Sequence, residues 1–152
     1  MIKLERNKSG VLCAWSEEEN ASKQKSRLEK YEGWDFAAYV NHHMPELAMF
    51  HVANEGAFSP QHRDSLTRSG VRSGVSDYGI LHRTLQGHPF ALIELKRSRK
   101  RDSGISKEQV DFLLSREKQG GLCCVAYGAT AAKAIVEWLY KEKPLLGGFF
   151  TI

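Results

Sequence analysis

Between Phe90 and Tyr127 the chain reads as strand, helix and strand, and this succession limits the fold more than any other feature of the 152 residues. Phe90-Ala91-Leu92-Ile93-Glu94-Leu95-Lys96 is a short apolar run with branched and aromatic side chains, the composition of a buried strand. Ser106 followed three residues later by Gln109 has the form of a capping box. Val110, Leu113 and Leu114 fall at helical spacing after it, so a helix is expected to run to about Gln119 and stop at Gly120-Gly121. Leu122-Cys123-Cys124-Val125-Ala126-Tyr127 is then wholly apolar, the pattern of a strand buried between parallel neighbours. Strand, crossover helix and parallel strand join in the right-handed sense. An α/β fold is expected.

The segments before Phe90 extend this unit. Met49 to Ala53 and Val75 to Leu81 read as strands, and the turn residues Gln86-Gly87-His88-Pro89 make the second of these a hairpin partner of 90–96. A mixed β-sheet flanked by helices follows. Ser16 with Glu17, Glu18 and Glu19 predicts a helix start, and Leu28, Tyr31, Phe36, Tyr39 and Val40 continue near helical spacing, with an interruption at Gly33-Trp34 and an end at Pro45. Residues 1–15 show no clear period and read as an irregular arm; Ser59 to Gly74 reads as a basic loop; Thr130 reads as the cap of a last helix through about Tyr140. The length is that of one domain. The divisions expected are an arm and start of the first helix over 1–28, the domain over 29–145 and a tail over 146–152.

Composition excludes several classes. No apolar stretch approaches the ~18 residues of a membrane helix, and the N-terminus lacks the apolar segment of a secretory signal. Cys13, Cys123 and Cys124 are odd in number and lack zinc-site spacing, so they read as reduced core thiols. A cytoplasmic protein with no membrane partner is expected. The net charge is +4, but residues 61–107 hold ten Lys/Arg against four Asp/Glu, while the rest is net negative. The basic character belongs to one central segment.

Chemistry points to the same segment. Glu94 sits inside an otherwise apolar strand, where a charge is expensive unless it is paired or binds a metal. With a strand period of two, Glu94 and Lys96 share one face. Asp77, one strand earlier, supplies a second carboxylate, and two carboxylates give the hard oxygens that Mg²⁺ or Mn²⁺ prefers. A lysine beside them suits orienting an attacking water or neutralising charge on a phosphate. An ordinary Glu/Lys pair on a half-exposed strand is the plainer alternative. Gln109 likewise serves as either a capping residue or a site residue.

Four runs taken together resemble a known family: His51-Val52-Ala53-Asn54-Glu55-Gly56, Gly70-Val71-Arg72-Ser73-Gly74-Val75-Ser76-Asp77-Tyr78, Ile93-Glu94-Leu95-Lys96-Arg97 and Ser106-Lys107-Glu108-Gln109. In that order they look like the VRR-NUC domain of the PD-(D/E)XK nuclease superfamily, over roughly residues 29–140. The resemblance implies a PD-(D/E)XK nuclease-like sheet and a divalent-metal-dependent DNA endonuclease using Mg²⁺ or Mn²⁺. It matches Asp77 and Glu94 to the metal ligands, the Leu95 backbone carbonyl to a third, Lys96 to the catalytic lysine and Gln109 to the glutamine that follows the core strands. Ser76 stands where the family usually has proline, and Ala53 where a proline often precedes the Asn-Glu pair. A glutamate from the first helix is also expected; Glu29 has the best offset, with Glu32 and the Glu17–Glu19 cluster as alternatives. Glu55 is a further candidate at the metal. Stand-alone phage members of similar size act as homodimers on branched DNA such as four-way junctions, which implies the same for this chain. A non-catalytic DNA-binding module on the same fold is the alternative.

The basic segment gives the expected DNA contacts. Arg97, Arg99, Lys100 and Arg101 follow the Glu94–Lys96 strand, Arg63, Arg68 and Arg72 lie in the preceding loop, and Lys107 opens the next helix. Such groups contact phosphates and position a duplex without reading its bases. Trp15, Trp34, Trp138 and Tyr140 read as core or interface residues in preference to base-stacking platforms, and the six histidines show no metal-site spacing.

Overall fold

The computed structural model describes residues 1–52 and 59–142. Its strands are β1 (Ile2–Arg6), β2 (Leu12–Ser16), β3 (Met49–His51), β4 (Tyr78–Ile80), β5 (Ala91–Lys96) and β6 (Leu122–Tyr127). Its helices are α1 (Glu17–Ala21), α2 (Glu29–His43), α3 (Pro60–Arg68), α4 (Lys107–Lys118) and α5 (Ala129–Tyr140). The strands form one six-stranded sheet in the order β1-β2-β6-β5-β4-β3. β5 and β6 pair in parallel with α4 as their crossover, and β4 pairs antiparallel with β5 in the expected hairpin. The fold is mixed α/β.

β6 explains its own sequence. Leu122, Cys124 and Ala126 face one core with α2 and α5, while Cys123, Val125 and Tyr127 face another with Leu113 of α4. A strand covered on both faces has no solvent side to make polar. All three thiols lie in this interior and are free.

Several local expectations are corrected. Residues 1–15 are not an irregular arm: β1 and β2 form a hairpin, and β2 lies parallel to β6 with Leu12 opposite Cys124. Its turn is built by Asn7, whose side chain accepts from the amides of Ser9 and Val11 at 2.9 and 3.0 Å. The first helix is two. Ser16 caps α1 through the Glu19 amide at 3.3 Å, residues 22–28 are non-helical, and α2 runs unbroken through Gly33 and Trp34. The basic loop contains α3, started by the Ser59 cap and Pro60 in its first turn; none of its residues is buried, so no apolar period announces it. Strand β4 is shorter than 75–81. The last helix begins after Gly128, and Thr130 donates to Glu19 at 2.7 Å instead of capping. The expected tail over 146–152 and the domain limit at 145 lie outside the described residues.

Candidate active site

β5 outruns its partner. β4 begins only at Tyr78, opposite Ile93, so the edge of β5 beyond Ile93 has no β4 strand beside it. The Asp77 carboxylate takes that place and accepts from the Leu95 amide at 2.8 Å. In an extended strand the N–H and C=O of one residue point to the same side. The Leu95 carbonyl therefore opens toward the edge at which Asp77 sits.

The residues flanking Leu95 point to the face covered by α4. Glu94 is 1% and Lys96 6% exposed, and the Lys96 ammonium lies 3.4 Å from Glu94 Oε1. Gln109 of α4 donates to the same Glu94 oxygen at 2.5 Å. Burying a carboxylate is tolerable only with such partners. Gln109 also completes the capping box: Ser106 accepts from the Gln109 amide at 3.2 Å, and Gln109 Oε1 accepts from the Ser106 amide at 2.9 Å. Gln109 thus caps α4 and hydrogen-bonds Glu94 at once.

On the opposite face a cleft of about 330 Å³ is lined by Glu29, Lys30, Gly33, Trp34 and Ala37 of α2 together with His51, Asp77, Tyr78 and Leu95. Glu29, Gly33 and Ala37 are spaced at i, i+4 and i+8, one side of a helix. Gly33 allows α2 to lie this close, because a Cβ there would meet the Tyr78 hydroxyl at 2.8 Å. That hydroxyl donates to the Gly33 carbonyl at 3.3 Å. Burial, and secondarily the Asp77 charge, push its pKa up, so it remains a donor.

The glutamates expected from the first helix separate clearly. Glu29 lines the cleft with Asp77. Glu32 is buried elsewhere: it accepts from the Ala129 amide at 2.6 Å, capping α5, and from Arg27 at 2.9 and 3.1 Å. Glu17 pairs with Lys3, Glu18 with the N-terminal ammonium, and Glu19 with Thr130. Glu55 lies outside the described residues.

The candidate donors on and beside β5 are hard oxygens: the Asp77 carboxylate at its edge, the Leu95 carbonyl, and the Glu94 carboxylate on the face toward α4. Among the described residues no three His, Cys, Asp or Glu side chains gather as a metal cluster. Such oxygens suit Mg²⁺, which uses one or two carboxylates and keeps several waters, and differ from the cysteine and histidine sets of structural zinc sites.

The basic residues divide into two groups. Arg99 is 9% exposed and makes four hydrogen bonds, two to Asp102 at 2.8 Å and two to the Ser22 and Lys23 carbonyls at 3.1 Å. This withdraws it from the expected DNA surface. Arg97 and Arg101 bond the Ser26 and Ser22 carbonyls, and the Lys100 ammonium lies 3.5 Å from the centroid of Trp15. Much of the cationic run therefore fastens residues 22–28 to the sheet. Arg63, Arg68, Arg72 and Lys107 are exposed. Gly74, at φ +80°, packs so closely on α4 that a Cβ would meet the Glu108 carbonyl at 2.6 Å, which lays the segment carrying Arg72 against the helix start carrying Lys107.

Trp34, expected in the core or an interface, is instead 66% exposed, and both it and His51, a histidine without metal-site spacing, line the cleft. His51 Nδ1 contacts the Asp77 carbonyl at 3.0 Å, and its place in the cleft follows from β3 pairing with β4 opposite Tyr78. No local spacing in the sequence signals either residue.

The fold is shared with a solved structure described as a VRR_NUC domain protein, at a TM-score of 0.61 and 18% identity, covering 84% of this chain and 96% of that one. No protein-family model and no curated protein matches the sequence.

Proposed function

We propose that a chain with this VRR_NUC-like fold is a divalent-metal-dependent endonuclease that hydrolyses DNA phosphodiesters. The observation that carries the reading is the buried Glu94–Lys96 pair, gripped by Gln109, on the strand whose Leu95 amide is held by Asp77. A purely structural ion pair would be cheaper to replace with apolar side chains. Keeping it beside a second carboxylate is what a phosphoryl-transfer site needs.

Asp77, Glu94 and the Leu95 carbonyl would hold Mg²⁺ or Mn²⁺, with Glu29 a further carboxylate lining the same cleft as Asp77. When bound, such an ion polarises the phosphate and lowers the pKa of a coordinated water. The chain's own residues do the positioning. Gln109 and Lys96 fix the Glu94 carboxylate, the Leu95 amide fixes Asp77, and the Lys96 ammonium offsets charge that grows on the phosphate. Arg63, Arg68, Arg72 and Lys107 would contact the DNA backbone. Branched DNA, such as a four-way junction, is the proposed substrate, cut by a homodimer because opposed strands need two sites and each chain carries one.

The test is cleavage of duplex, single-stranded, flap and four-way-junction DNA with Mg²⁺, Mn²⁺ or EDTA. Asp77→Asn retains an acceptor for the Leu95 amide and should stay folded, while losing activity by at least about a hundredfold if the lost charge costs ~3 kcal/mol in the transition state. Wild-type rates from folded Asp77→Asn and Lys96→Ala would exclude the reading. DNA binding that survives EDTA without any cleavage would mark a binding module instead.

A further inference from the structure

We infer that Trp34 is a stacking platform for an unpaired nucleobase, seated at the mouth of the Asp77 cleft, so that DNA with an unstacked nucleotide beside the scissile phosphate is the preferred substrate. The inference rests on the nuclease reading and sharpens it. Single exposed apolar side chains are ordinary on protein surfaces. Trp34 differs in its position: it is 66% exposed, yet it lines the same cleft as Asp77 and Leu95.

Its surroundings match a nucleotide. Tyr31, one turn earlier, packs against the indole with ring centroids 5.2 Å apart and planes at 88°, which fixes the ring's orientation while leaving most of its surface open. The Lys30 ammonium stands 5.0 Å from the Tyr31 centroid and also lines the cleft, placing a cation for the phosphate that accompanies a base. Aromatic platforms next to cations bind single strands with little sequence preference, because every base offers a π-face. A base within a matched duplex has both faces covered. Only a nucleotide at a branch, gap, flap or end can use the indole.

The experiment measures binding in EDTA, where cleavage plays no part, to a matched duplex and to the same duplex carrying an unpaired flap. Wild type is expected to prefer the flap, and Trp34→Ala to lose about tenfold in flap affinity with duplex affinity unchanged. Trp34→Phe, which keeps a stacking face, should recover part of the loss. Trp15 and Trp138 are buried and half-buried, so quenching of tryptophan emission by the flap DNA should reside in Trp34 and vanish in both variants. Flap affinity and quenching unaltered in Trp34→Ala would overturn this inference and leave the nuclease reading standing. Failure of wild type to bind any of the DNAs would overturn both.

Discussion

The Gln109 side chain joins helix α4 to the strand beneath it: its carbonyl oxygen accepts from the Ser106 amide at 2.9 Å while its amide nitrogen donates to Glu94 at 2.5 Å. One planar group therefore starts the helix and orients the buried carboxylate. Any change in where α4 begins is felt at Glu94.

That double role predicts an uncommon pH response for Gln109→Glu. Glutamate at this position still makes a capping box, so α4 should form normally. It also sets a second carboxylate against Glu94, and two carboxylates in one buried site cannot both ionise readily. Urea unfolding should show the variant about 1–3 kcal/mol less stable than wild type at pH 7.5. The deficit should shrink near pH 5, where the pair can share a proton. An equal deficit at both pH values would mean that Gln109 does not govern Glu94.

Glu29 and Glu32, one turn apart on α2, should respond oppositely to alanine. Glu32 caps α5 and accepts from Arg27, so its loss removes charged hydrogen bonds in a buried setting. Glu32→Ala should destabilise by about 2–3 kcal/mol while folded molecules keep their activity. Glu29 lines the cleft and is only partly covered. Glu29→Ala should change stability by no more than about 0.5 kcal/mol and slow cleavage. Denaturation and initial rates on the two variants decide between them; a stable Glu32→Ala would remove its capping role.

The parts of the fold that could be read from the sequence are those whose signals are local. β5, α4 and β6 carry their period, cap and stop within themselves, and the Asp77, Glu94, Lys96 and Gln109 set follows from neighbouring strands and one capped helix. The β1–β2 hairpin escaped because its principal partner is β6, more than a hundred residues away, and the strands themselves are five residues each. α3 escaped because it buries no residue. Trp34 and His51 reach the cleft only through the crossing of α2 and the pairing of β3, which no spacing encodes. The charge count misjudged Arg99 for a related reason: its partners, Asp102 and the Ser22 and Lys23 carbonyls, are a matter of tertiary structure.

The three thiols should be inert in the native protein. Burial pushes Cys13 up to about 11 and Cys123 to about 12, and fully buried Cys124 is raised further. The thiolate is the reactive form. Native protein at pH 8 should take up almost no iodoacetamide over hours, with three adducts per chain appearing in guanidinium by mass spectrometry. Prompt native labelling of Cys123 or Cys124 would contradict their place between the two cores.

Asp102 should give the protein an acid-sensitive fastening for residues 22–28. Hydrogen bonds from Arg99, then from the Ser26 side chain and amide, hold its carboxyl well below the usual carboxylate range. The unfolded chain, with an ordinary carboxyl near pH ~4, binds a proton before the folded one does. Stability from this group is therefore complete above about pH 5 and falls as the solution is acidified below ~4 toward the folded value. Asp102→Asn, which can still accept from Ser26 but not pair with Arg99, should melt lower than wild type at pH 6, with the gap closing steadily toward pH 2. Limited proteolysis at pH 6 should locate the loss, with cleavage at Lys23, Lys25 or Arg27 faster in the variant. A melting difference that stays constant from pH 6 to pH 2 would show that the Asp102 charge does not fasten this segment.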